Sequence, residues 1–224
     1  MKALTIDSAA SEMVIAAKNE NIKATLSLDL GQKQSKEILP AIDYILKKVE
    51  LEPKNLDYTA LCSGPGTFTG LRLAFSALKA IELAHNVPVY GVPSLEAYAF
   101  PFKDFPAQIV PVIDAKKDQF FAAIYKNGEL IQNAEDTTAE KILENLEKDK
   151  EIILAGPDAK VFGEELKNLE PNLKIIFTKF QPLATESLFE IAEAMIEQKK
   201  SPLADYDGPV YLRKSEAELS LEKK

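Results

Sequence analysis

The chain has 224 residues, 46% of them hydrophobic and 28% charged, enough for one globular unit or two lobes of roughly 100 residues each. Its apolar runs are far shorter than the ~20 residues of a spanning helix, and Met1 leads into a strand-like segment rather than a signal peptide, which argues against membrane and secreted readings and makes the cytoplasm the expected compartment. One cysteine, one histidine and a net charge of −8, with the acidic excess after residue 100, exclude an internal disulfide, a zinc site and an electropositive nucleic-acid footprint.

Lys2 to Ile6 reads as a strand ending at Asp7, followed by strands from Glu12 to Ala17 and Ile22 to Leu28 about the turn Asn19-Glu20-Asn21. From Gln34 to Glu50 the apolar residues Ile38, Ile42, Ile45 and Val49 recur with helical period, with Leu39 and Leu46 off that stripe and Pro40 expected to disturb the first turns. Asp57 to Cys62 is the next strand; it enters the loop Ser63-Gly64-Pro65-Gly66-Thr67-Phe68-Thr69-Gly70, and a helix from Leu71 to His85 and a buried strand from Val87 to Val92 follow.

The second half repeats this order. Ile113-Asp114 answers Ile6-Asp7, Gln119 to Tyr125 answers Met13 to Ala17, and Lys126-Asn127-Gly128 is a strong hairpin signal where Lys18-Asn19-Glu20 stands in the first half. A helix from Thr138 to Leu146, a strand from Ile152 to Leu154, a helix from Asp158 to Leu169, a strand from Lys174 to Phe177 and a helix from Thr185 to Gln198 complete it. The proline-bearing segment Pro101 to Pro106 reads as the hinge. Residues 1–103 and 104–224 are therefore expected to form two duplicated α/β lobes of the actin-like, ribonuclease-H-like class, each with a βββαβα-type core.

Three features carry possible chemistry. The loop glycines Gly64, Gly66 and Gly70 could admit an anion at a helix start near Arg72, or could serve only a tight strand-to-helix connection; no Lys-Ser/Thr follows, so this is not a Walker A loop. Asp7 and Asp114 stand where this fold class places carboxylates around magnesium and nucleotide phosphates, but neither is followed by glycines that would let a phosphate approach, and an aspartate after a strand is commonly a turn residue. The helix from Leu71 to His85 is apolar around nearly its whole circumference, with Arg72, Lys79 and Glu82 as a narrow polar strip, so its Leu73, Ala77, Ala80, Ala84 face requires a second cover. That cover is either the chain's own cleft or, as the favoured reading, a helix-packed protein interface shared with the preceding helix. His85 and Cys62 read as structural.

At Gly64-Pro65-Gly66-Thr67-Phe68-Thr69-Gly70-Leu71-Arg72 the sequence resembles the TsaB (YeaZ) family, whose signature reads GPGSFTGLR, with Thr67 in place of the usual serine. Supporting matches are Ile6-Asp7-Ser8, Ser35 to Pro40, Gly91-Val92-Pro93-Ser94-Leu95-Glu96-Ala97, Asp114 to Lys117 and Pro209-Val210-Tyr211-Leu212-Arg213, so the resemblance spans the chain. It departs at Gln34, which stands before Ser35 where relatives often have histidine. The resemblance implies a non-catalytic accessory subunit of the machinery that makes threonylcarbamoyladenosine in tRNA, pairing with the transferase TsaD and the ATPase TsaE and touching tRNA only indirectly. It implies homodimers through the first two long helices, no cofactor or metal bound by this chain alone, and a possible nucleotide at the joint interface with the transferase. Ser94 and Tyr98 occupy the positions of the transferase's two histidine ligands. The expected partner surface is Leu39, Ile42, Leu46, Leu73, Ala77, Ala80 and Ala84, and a charge at Ala77 is expected to abolish pairing without disturbing the fold. The alternative is an autonomous enzyme, a nucleotide-dependent kinase or an M22-type metallopeptidase.

Overall fold

Two five-stranded sheets organise the chain in the computed structural model, which describes residues 1–29, 31–178 and 181–213. The C-terminal end of the expected second lobe, residues 214–224, lies outside the described residues. The first sheet holds β1 (Lys2–Asp7), β2 (Glu12–Asn19), β3 (Ile22–Asp29), β4 (Tyr58–Cys62) and β5 (Val89–Val92) in the order β3-β2-β1-β4-β5. The second holds β6 (Gln108–Asp114), β7 (Phe120–Lys126), β8 (Glu129–Thr137), β9 (Glu151–Ala155) and β10 (Lys174–Ile176) in the matching order β10-β9-β6-β7-β8. In both, the first three strands form an antiparallel meander and the last two join in parallel. The repeat read from the sequence is a repeat of topology.

Burial explains the strand patterns. β1 and β4 are central and covered on both faces, so they read as continuous apolar runs, whereas edge strand β3 alternates between half-buried and exposed residues. Asn127 and Gly128, both with positive φ, close the hairpin between β7 and β8.

Among the described residues six α-helices cover the sheets. α1 (Gln34–Lys48) and α2 (Phe68–His85) lie outside the first sheet, with Leu4, Ile6, Ile45, Leu61 and Leu78 in the core beneath them. α4 (Ala139–Asn145) and α5 (Ala159–Leu169) lie outside the second sheet over Val112, Ile142, Leu154 and Phe162. Between the sheets, α3 (Ser94–Ala99) packs on β6 and β7 while α6 (Ala184–Glu197) packs on β1, β2, β4 and β5, so each lobe's last helix contacts the other lobe's sheet. The central core accordingly draws Tyr58 and Ala60 from the first sheet, Ile109 and Ala123 from the second, and Leu188 from α6.

Three sequence expectations change in detail. Pro40 sits inside α1 without ending it, since only one backbone donor is lost near the start of a 15-residue helix. α2 begins at Phe68, within the glycine signature rather than after it. α3 was not expected at all: six residues are too few to display a helical period. Among the described residues no helix is long and apolar enough to cross a membrane.

Candidate partner interface

α1 and α2 run beside each other and leave a groove of about 360 Å³ on the outer face of the first lobe. Leu39, Ile42 and Leu46 of α1 face Ala77, Ala80 and Ala84 of α2 across it, with Leu51 and His85 at one end. Six of the seven residues expected to bind a partner thus meet at one place. Leu73 does not line the groove; it packs, partly buried, against the core beneath α2. The alanine spacing is the local cause of the groove, because small side chains at Ala77, Ala80 and Ala84 lower one wall.

The six divide into floor and rim. Ile42, Leu46 and Ala77 are 5%, 2% and 6% exposed and belong to the first-lobe core. Leu46 is therefore no off-stripe surplus. The expectation for a charge at Ala77 is corrected for the same reason: a carboxylate there would enter the core and destabilise the fold itself. Leu39 is 63% exposed, and Ala80 and Ala84 are exposed. Leu83, 89% exposed on α2, is an apolar residue that the expected list omitted; its signal was a leucine outside the alanine stripe on an already apolar helix.

At the start of α2, the glycine signature is held by the chain itself. The Thr67 N–H donates to the Ala9 carbonyl at 2.7 Å, and the Gly64 N–H donates to the Ser94 hydroxyl at 3.1 Å. A Cβ at Gly70 would overlap the Ser8 carbonyl oxygen, and one at Gly64, whose φ is +117°, would overlap that of Val210. Of the two readings of the loop, close backbone packing is the one the geometry meets, because the space at these glycines is filled by neighbouring backbone.

The C-terminal motif completes this region. The Val210 N–H donates to the Ser63 carbonyl at 2.8 Å, Tyr211 stacks on Phe68 at 4.5 Å, and the Arg72 guanidinium lies 3.8 Å from the Phe68 centroid while donating to the Tyr211 hydroxyl at 3.0 Å. Arg213 then reaches the second lobe, donating to Asp136, Gln119 and the Ala115 carbonyl. Two motifs some 140 residues apart therefore form one structure, a pairing that no sequence spacing reveals. Gln34 pins the start of α1 by donating to the Ser11 carbonyl at 2.7 Å.

The cleft between lobes is tight. Asp7 is buried, accepting from the Tyr98 hydroxyl at 2.9 Å and the Ala9 N–H at 3.0 Å. Burial nonetheless pushes its carboxyl above the ordinary aspartate value, and burial beside Asp7 pushes the Cys62 thiol up. Asp114 accepts from the Lys116 N–H at 2.7 Å and its ammonium at 2.5 Å, in a separate turn. The cavity lined by Asp7, Tyr98 and Gly156 measures about 80 Å³, against the ~300 Å³ of the smallest ordinary ligand pockets. The fold does not bring Asp7 and Asp114 into one open phosphate site.

Comparison with known proteins adds independent findings. Residues 29–218 match the family model for TsaD, tRNA N6-adenosine threonylcarbamoyltransferase. The chain is 29% identical over 226 residues to the tRNA threonylcarbamoyladenosine biosynthesis protein TsaB of Bacillus subtilis, covering 97% of this chain and 96% of that one. Its fold is shared with a crystal structure from Pseudomonas aeruginosa, described as similar to the peptidase YeaZ, at TM-score 0.78 and 20% identity, covering 95% of this chain and 99% of that one. A Bacteroides thetaiotaomicron protein with an actin-like ATPase fold aligns at TM-score 0.51 and 9% identity over 84% of this chain and 95% of its own.

Proposed function

This chain belongs to the TsaB (YeaZ) family, within the wider family that the TsaD transferase model describes, and on that premise we propose that it is a non-catalytic accessory subunit of tRNA threonylcarbamoyladenosine synthesis. It acts in the cytoplasm by docking the transferase TsaD through the groove between α1 and α2, holding that enzyme in an active conformation and joining the ATPase TsaE in the assembly. A second copy of this chain uses the same groove when the transferase is absent. Any nucleotide binds at the joint interface rather than to this chain alone.

The observation that carries the reading is the groove itself. Leu39 stands in water on its rim and Leu83 stands in water elsewhere on α2, and covering each with a partner's side chains returns about 1.5–3 kcal/mol. Supporting it, the positions that resemble the transferase's histidine ligands have structural roles here: Ser94 accepts from Gly64, and Tyr98 donates to Asp7. The kinase alternative is disfavoured by the small cleft and by the separate engagement of Asp7 and Asp114.

The test is reconstitution of the tRNA modification from purified transferase and ATPase with and without this chain. Omission is expected to reduce product to background, and Ala80→Glu, which places a charge on the exposed rim, is expected to do the same while leaving the unfolding midpoint unchanged. Full modification with the Ala80→Glu variant would show that the groove is not the docking surface. Calorimetry of the isolated chain with ATP and magnesium is expected to show neither micromolar binding nor turnover; either would revive the enzyme alternative.

A further inference from the structure

A second concavity, of about 310 Å³, lies on the side of α3 that faces the hairpin between β7 and β8, lined by residues distinct from those of the α1/α2 groove. Its walls are apolar, with Phe100 from the turn after α3, Ile109 from β6, Tyr125 from β7 and Leu130 from β8. Two charged side chains interrupt them: Glu96 from α3 and Lys103 from the end of the following turn.

Both charges lack the partners that such groups normally find. The Glu96 carboxylate makes no hydrogen bond or ion pair among the described residues, although it is half-buried. Burial pushes its carboxyl up, with only the more distant Lys200 charge pulling it back. Lys103 has no carboxylate partner among the described residues either; its ammonium sits 3.8 Å from the Phe100 centroid, held by the ring face. The Tyr125 phenol adds a polar group to the wall, pushed up by burial and then by the Glu96 charge. One carboxylate, one ammonium and an apolar lining in a single concavity form a complementary pattern for a molecule carrying the opposite charges on an apolar body.

We propose that this pocket binds a free amino acid with an apolar side chain, its ammonium on Glu96, its carboxylate on Lys103 and its side chain against Phe100, Ile109 and Leu130. A single cation would leave Lys103 unanswered and a single anion would leave Glu96 unanswered, so the zwitterion is the ligand that satisfies both at once. Size agrees: the volume of about 310 Å³ stands at the ~300 Å³ lower end of ordinary ligand pockets, which suits an amino acid. The site lies on the central helix rather than on the outer groove, so it does not depend on which protein docks there.

Calorimetry of the full chain with L-leucine tests this, beside L-leucinamide, which lacks the carboxylate, and N-acetyl-L-leucine, which lacks the ammonium. Leucine is expected to bind, with each analogue about 10-fold weaker or worse. Glu96→Gln and Lys103→Met are each expected to weaken leucine about 10-fold while leaving the unfolding midpoint in place. No binding of leucine at about 10 mM would overturn the proposal. So would leucinamide binding as tightly as leucine, or unchanged affinity in Glu96→Gln.

Discussion

In the first lobe the helices outside the sheet run 15 and 18 residues and enclose an apolar groove; in the second they run 7 and 11 residues. The sheets beneath have the same strand order. α5 presents polar residues such as Lys160, Glu164 and Lys167 outward, with Phe162 and Leu166 buried below, whereas α2 exposes Leu83 and the Ala80 and Ala84 shelf. The duplicated scaffold is thus surfaced differently on its two lobes, although α5 also leaves Val161 and Leu169 partly exposed. Under the proposed function, the outer face of the first lobe is where a partner protein docks.

The comparison can be broken most severely at the first lobe's glycine connection, where Gly70 sits against the Ser8 carbonyl. Gly70→Ala drives a methyl into the Ser8 carbonyl and is expected to cost about 3 kcal/mol or more, whereas Gly128→Ala in the second-lobe hairpin meets only ordinary contacts and is expected to cost about 1 kcal/mol through its positive φ. Urea unfolding of both variants measures the contrast. Comparable losses would mean that the signature loop is no tighter than a hairpin.

The outer faces can be exchanged next. Leu39→Lys combined with Leu83→Lys is expected to weaken association with the transferase about 100-fold, roughly 2.7 kcal/mol, while stability stays within about 0.5 kcal/mol. The mirrored pair on α5, Val161→Lys with Leu169→Lys, replaces apolar residues that are 53% and 42% exposed and is expected to leave association unchanged. Analytical ultracentrifugation reads both.

The paired aspartates sharpen the contrast at smaller scale. Tyr98→Phe removes the hydroxyl that donates to buried Asp7 and is expected to cost about 1–3 kcal/mol. Because the folded carboxyl sits above the ordinary value of 3.8, its stabilising contribution is complete below that value and is lost as the pH rises through the folded one. Asp7→Asn is therefore expected to flatten the fall in stability above about pH 4, and Tyr98→Phe to steepen it; unchanged pH profiles in both would contradict the buried charge. The second-lobe counterpart, Asp114→Asn, removes a half-exposed pair with Lys116 and is expected to cost at most about 1 kcal/mol. The least effect is expected at the exposed pair of Asp43 and Lys47 on α1, where Asp43→Asn should shift stability by about 0.5 kcal/mol or less by thermal unfolding.

Much of this was legible in the chain. The alternation of strand runs and helical periods, the Asn127-Gly128 hairpin and the answering Ile6-Asp7 and Ile113-Asp114 were enough for the duplicated architecture, because local patterning follows directly from the face each residue must bury. The surplus of apolar residues on α2 was legible for the same reason, since a helix against one sheet needs only one apolar face. The tail motif at Pro209 to Arg213 was visible as a string of residues, but its use was not.

What the sequence by itself determined is the lobe type, the order of elements and the helix that needs covering, all consequences of periodicity within single elements. Only the tertiary structure decided which of Leu39, Leu46, Ala77 and Ala80 face water, that α3 and α6 cross to opposite sheets, and that Tyr211 closes on Phe68 and Arg72. These depend on surfaces brought together from distant parts of the chain, and one-dimensional spacing carries no record of which distant surface will cover a given side chain.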